Sequence, residues 1–79
     1  MMKVQDQYLQ FVRWSEEDNA YVGYCPDLFP AAGVCHGVTS VEAYQRLTEI
    51  VEDTVATAQA EGYDLPSPST RPMRKAVPV

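Results

Sequence analysis

Residues 39–62 constrain the fold more than any other stretch, because they encode one helix from cap to cap. Thr39-Ser40-Val41-Glu42 has the form of a capping box. The Thr39 hydroxyl is placed to accept from the amide of Glu42, and the Glu42 carboxylate to return to the amide of Thr39. Apolar or small side chains then recur at Tyr44, Leu47, Val51, Val55 and Ala58, with Ile50 beside them, which is helical spacing. Glu49, Glu52, Asp53 and Gln59 fall outside that stripe. Gly62 supplies the left-handed residue that ends a helix, and Tyr63 just beyond it is placed to fold back on Ala58. At roughly 1.5 Å per residue such a helix spans roughly 30 Å, the width of a small domain.

The residues before the helix read as strands. Tyr8-Leu9-Gln10-Phe11-Val12-Arg13-Trp14 is rich in aromatic and β-branched residues. Tyr8, Val12 and Trp14 share one face of it and Leu9 and Phe11 the other, so both faces are expected to be at least partly covered. Ser15-Glu16-Glu17-Asp18-Asn19 is a polar turn, and its Asp-Asn step tolerates left-handed backbone. Ala20-Tyr21-Val22-Gly23-Tyr24-Cys25 then completes a β-hairpin with a loop longer than two residues. Gly23 within a strand implies close approach of a neighbour. Pro26 lacks an N–H and stops the ladder. Gly33-Val34-Cys35-His36-Gly37 is a short third strand at the sheet edge. The expected class is therefore α+β: a small three-stranded antiparallel sheet packed on one long helix. A short extra C-terminal strand at Ala76-Val77-Pro78-Val79 is a further expectation. The domain is placed at residues 1–66 and a Pro-rich basic tail at 67–79, its prolines keeping the exit extended.

The chain has 79 residues, enough for one domain with a thin core, and self-association into a dimer or larger assembly is expected. Apolar residues make up 46% and charged residues 22%, which is globular composition. The net charge is −5, from eleven acidic and six basic side chains. Nucleic-acid binding rests on Lys and Arg neutralising phosphates, so this balance favours a basic protein partner instead. Three of the six basic residues, Arg71, Arg74 and Lys75, lie in the tail. No apolar run has the length of a membrane span, and the N-terminus does not read as a signal peptide. A cytoplasmic location with both thiols reduced is expected.

Few residues form a chemical constellation. Glu16, Glu17, Asp18 and Asp27 invite a metal-dependent nuclease reading, but consecutive loop residues do not converge on one ion, and a solvated turn is the plainer account. Cys25, Cys35 and His36 are zinc-competent types without a paired CxxC or a fourth ligand, and both cysteines read as packing residues. Cys35 and His36 alternate across a strand, which separates them as a nucleophile–base pair. Tyr8, Phe11, Trp14, Tyr21 and Tyr24 lack the interleaved cations of a base-stacking platform. No enzyme activity, catalytic residue, metal or cofactor is therefore assigned. The residues assigned to partner contact are Tyr24, Pro26, Asp27 and Leu28, at a strand end and its adjoining loop.

In order along the chain stand Glu17-Asp18-Asn19, Tyr21-Val22-Gly23-Tyr24, Pro26-Asp27-Leu28, Gly37-Val38-Thr39, Glu42-Ala43, Gly62 and Pro66-Ser67-Pro68. No single motif is specific, but the series resembles the HicB-type antitoxin domain, a small relative of the ribonuclease H fold. The resemblance covers residues 8–68. It implies a module that binds and neutralises a small basic HicA-type toxin, an RNA-cleaving protein, and that forms homo-oligomers. Two further readings are an orphan HicB-like regulatory or RNA-linked adaptor and a metal-dependent nuclease of ribonuclease H-like fold. An active ribonuclease H site needs a carboxylate in its first strand, and residues 8–14 contain none. The family's usual DNA-binding segment has no counterpart in residues 73–79, so the resemblance implies little or no DNA binding by this chain alone. The stretch Phe29-Pro30-Ala31-Ala32-Gly33 is longer than the family's pattern at that point, which leaves the register of the third strand open.

Overall fold

The computed structural model describes residues 3–69. The expected hairpin forms from β1 (Phe11–Ser15) and β2 (Ala20–Tyr24), paired antiparallel from Phe11 opposite Tyr24 to Ser15 opposite Ala20. Asn19 takes the left-handed backbone of the turn, with φ 52°. The Ser15 hydroxyl donates to the Asp18 carboxylate at 2.9 Å and accepts from the Asp18 amide at 3.3 Å, closing the loop.

Strand β1 starts three residues later than the sequence suggests. Extending the ladder beyond Phe11 and Tyr24 would set Leu9 opposite Pro26, which has no N–H to give. The chain instead makes a 3-10 turn at Val4–Gln7 and buries Tyr8 in the core. The Tyr8 hydroxyl donates to the Pro66 carbonyl at 2.6 Å. Strand β3 (Cys35–Gly37) pairs antiparallel with β2, giving the order β1-β2-β3. The proposed strand at residues 76–79 lies outside the described residues.

Helix α1 (Ser40–Glu61) has both expected ends. The Thr39 hydroxyl accepts from the Glu42 amide at 3.1 Å. The return bond of the capping box is replaced: the Glu42 carboxylate meets Arg46 at 2.7 Å, one turn further on. Gly62 has φ 75°, and the Tyr63 amide donates to the Ala58 carbonyl at 2.8 Å. The Tyr63 side chain itself stays exposed. Nothing lies near a Cβ built on Gly62, so Gly62→Ala adds backbone strain alone. It is expected to cost about 1 kcal/mol in chemical denaturation, with the denaturant slope unchanged.

The buried stripe of α1 is Ala43, Leu47, Val51, Val55 and Ala58. Ala43 heads it in place of Tyr44, whose ring is 48% exposed. The reason is the closeness of the sheet: a Cβ on Gly37 would lie 2.5 Å from the Ala43 nitrogen. Only a small residue fits where the first turn crosses β3. Gly23 performs the same service lower down, where its Cβ would lie 3.1 Å from that of Leu47. The core joins Tyr8, Cys25, Cys35, Leu47, Val51 and Val55, with Leu28, Phe29 and Leu65 packed against it. The sheet's other face is covered only in part. There Val22 is buried, and Gly33 sits directly over its side chain. The molecule is thus α+β, with one long helix on a three-stranded antiparallel sheet. Among the described residues no helix is long and apolar enough to cross a membrane.

Candidate functional site

The corner that follows β2 collects the four residues assigned to partner contact. After Cys25 the chain turns sharply, and the amides of Leu28 and Phe29 both donate to the Cys25 carbonyl, at 3.2 and 2.8 Å. Tyr24 is half-buried, its ring stacked on Phe11 at 5.0 Å. Pro26 is exposed on the turn. Asp27 is half-buried and points away from the core: its carboxylate accepts from the Ser69 hydroxyl at 2.5 Å and from the Ser69 amide at 3.3 Å. Leu28 packs against the core, so of the four it is committed inward.

The partnership of Asp27 with Ser69 has no signal in the sequence, because the two stand 42 positions apart. Together with the bond from Tyr8 to Pro66, it holds the Pro-rich exit against the body at two points. A partner approaching this corner meets residues 66–69 as well as the turn.

The carboxylates of residues 16–18 sit at the hairpin tip, whereas Asp27 follows the opposite end of β2. Among the described residues no three His, Cys, Asp or Glu side chains gather as a metal site. The aromatic residues are likewise divided. Phe11 and Tyr24 stack on the face away from α1, Trp14 and Tyr21 meet edge to face on the helix side, and Tyr8 is in the core.

Cys25 and Cys35 are buried free thiols, and the Cys35 Sγ donates to the Ala43 carbonyl at 3.3 Å. His36 stays exposed on the opposite side of the strand, 3.8 Å from the Asp18 carboxylate. Burial pushes both thiols above the ordinary thiol range; the Leu28 backbone opposes this at Cys25, and the Gly23 backbone and Arg46 oppose it at Cys35. A thiol raised in the folded state ionises first in the unfolded chain, so stability is full below the ordinary thiol pKa and declines as pH rises through it. Denaturation midpoints are expected to hold to about pH 8 and to fall above about pH 9. Replacing both cysteines by Ala should flatten that decline, and an unchanged slope would remove the thiols as its cause.

Charge distinguishes the surface most clearly. All eleven carboxylates lie within residues 3–69, against Lys3, Arg13 and Arg46, a balance of −8. Five of them are on α1: Glu42, Glu49, Glu52, Asp53 and Glu61. The helix's one cation, Arg46, is taken by Glu42 and by the His36 carbonyl at 2.8 Å. Glu49, Glu52 and Asp53 are exposed and form no ion pair among the described residues. This face attracts cations and suits no polyanion.

Comparison with protein-family models, with curated proteins and with solved structures returns no match to this chain.

Proposed function

We propose that this chain is an antitoxin-like binding module whose partner is a small basic RNA-cleaving protein of HicA type. The observation that carries the reading is the −8 balance of the body, with unpaired carboxylates standing on one rigid helix. The ordered series of motifs from Glu17 to Pro68 supports the family assignment. Inhibition works by occupation: a toxin's RNA-binding surface must be basic, and an acidic protein seated on it excludes phosphate. The acidic face speeds the encounter, and apolar contacts at the Tyr24–Pro26 corner hold the complex. DNA binding by the described body is not part of the proposal.

The test is titration of this chain into the small basic protein encoded beside its gene, with RNA cleavage followed in parallel. A stoichiometric complex that stops cleavage, and whose association slows as salt rises, is the expected result. A neighbouring protein that neither binds nor is inhibited, or the lack of any such gene, would sink the reading.

A further inference from the structure

The Pro-rich exit is fastened to the body at two points of unequal strength. At the first, the Tyr8 hydroxyl donates to the Pro66 carbonyl at 2.6 Å, and Tyr8 is only 4% exposed. Leu65, the preceding residue, packs against the core. Water has little access to the Tyr8 hydroxyl, so this fastening is firm. At the second, the Ser69 hydroxyl donates to the Asp27 carboxylate at 2.5 Å, and the Ser69 amide donates to both carboxylate oxygens at 3.3 Å. Ser69 is exposed, and water offers the same carboxylate equivalent donors, so this fastening exchanges readily. Only Ser67 and Pro68 lie between the two. Release at Ser69 therefore frees residues 67–69 and leaves the chain anchored at Pro66.

The two sides of the second fastening are also unequal. Asp27 stands on a turn pinned by the amides of Leu28 and Phe29, which share the Cys25 carbonyl, and both of those side chains pack against the core. Its carboxylate is a fixed acceptor, and Ser69 is the movable donor. Ser69 fills that acceptor with a hydroxyl and an amide from one residue. An arginine fork also supplies two donors, and it adds a full positive charge that makes each bond stronger. We propose that residues 67–69 form a releasable strap: Ser69 holds Asp27 until a guanidinium of the basic partner displaces it, so the unbound chain keeps its contact corner closed. The occupant rests on the reading of a basic protein partner; the fastening itself does not. A strap closed about nine-tenths of the time lowers the apparent affinity for that partner about tenfold, because only the open fraction binds.

Amide exchange followed by NMR on the full chain tests the fastening without a partner. Asp27→Ala should speed exchange at the Ser69 amide by about fivefold or more and leave the buried Val51 amide of α1 unchanged. Equal exchange at Ser69 in the two proteins would overturn the strap. A short arginine peptide, compared with sodium chloride at equal ionic strength, should speed the same amide in the wild type. An amide that ignores the peptide would overturn displacement by a guanidinium. With the small basic protein encoded beside the gene, Ser69→Ala should bind roughly three- to tenfold more tightly than wild type, whereas Asp27→Asn should bind more weakly. Ser69→Ala binding no more tightly, with wild type still binding and inhibiting, defeats the strap and leaves the toxin reading standing. A neighbouring protein that does not bind, with the arginine peptide still releasing Ser69, defeats the toxin reading and supports the strap.

Discussion

Gly37→Ala is expected to lower the thermal midpoint by roughly 15 °C, equivalent to about 3 kcal/mol for a domain of this size. The added Cβ would come within 2.5 Å of the Ala43 nitrogen and 2.8 Å of its Cα. Both are backbone atoms of the first turn of α1, so no rotamer change relieves the overlap. The helix must lift from β3, and Leu47 and Val51, both fully buried, lose packing below it. Ala43→Gly should restore little, because it removes only the third and farthest of the three contacts, at 3.0 Å. Gly33→Ala is a useful contrast, since its Cβ would meet the end of the Val22 side chain rather than backbone. A loss below about 4 °C for Gly37→Ala, the effect of about 1 kcal/mol, would show that the helix is not seated on β3 in this way.

Reversing Glu49, Glu52 and Asp53 together to Lys is expected to slow association with the proposed basic partner by roughly 10- to 100-fold at low salt. All three are exposed on α1 and outside its buried stripe, so the fold should survive the change. The mechanism is long-range steering, and it carries its own control. At high ionic strength, where the Debye length falls to about 3 Å, wild type and variant should associate at similar rates. The dissociation rate should move much less, because steering charges at a rim act mainly on the encounter. An association rate that the reversal leaves unchanged at low salt would separate the acidic helix from partner choice.

Legibility differed from element to element. Helix α1 was readable to the residue because its signals are local: a hydroxyl at Thr39, a glycine at Gly62 and an apolar repeat between them. The hairpin was equally local, down to the left-handed Asn19. Expectation and structure part where a group outside the local motif intervened. Tyr44 belongs to the stripe by spacing alone, but the approach of Gly37 to Ala43 turns it outward. The return bond of Glu42 is chemically available, but Arg46 competes for the same carboxylate and offers a full charge. Tyr8 has every property of a strand residue, and it was the proline opposite the would-be extension that shortened β1. At the candidate corner, the end of the second strand was legible from Pro26, whereas the capture of Asp27 by Ser69 was not.

The sequence by itself determined the class of the molecule, the ends of its helix, the hairpin and the acidic character of its body. Each of these depends on residue type and on spacing within a few positions, which chain order preserves. Only the tertiary structure decided that Ala43 rather than Tyr44 heads the buried stripe of α1, and how residues 66–69 close over the corner after β2. Those outcomes depend on contacts between different elements, some of them tens of positions apart, such as Tyr8 with Pro66 and Asp27 with Ser69, and one nearer in sequence, Gly37 of β3 with the turn of α1 that carries Ala43. Distance along the chain does not encode such contacts; close packing of one helix on three strands creates them.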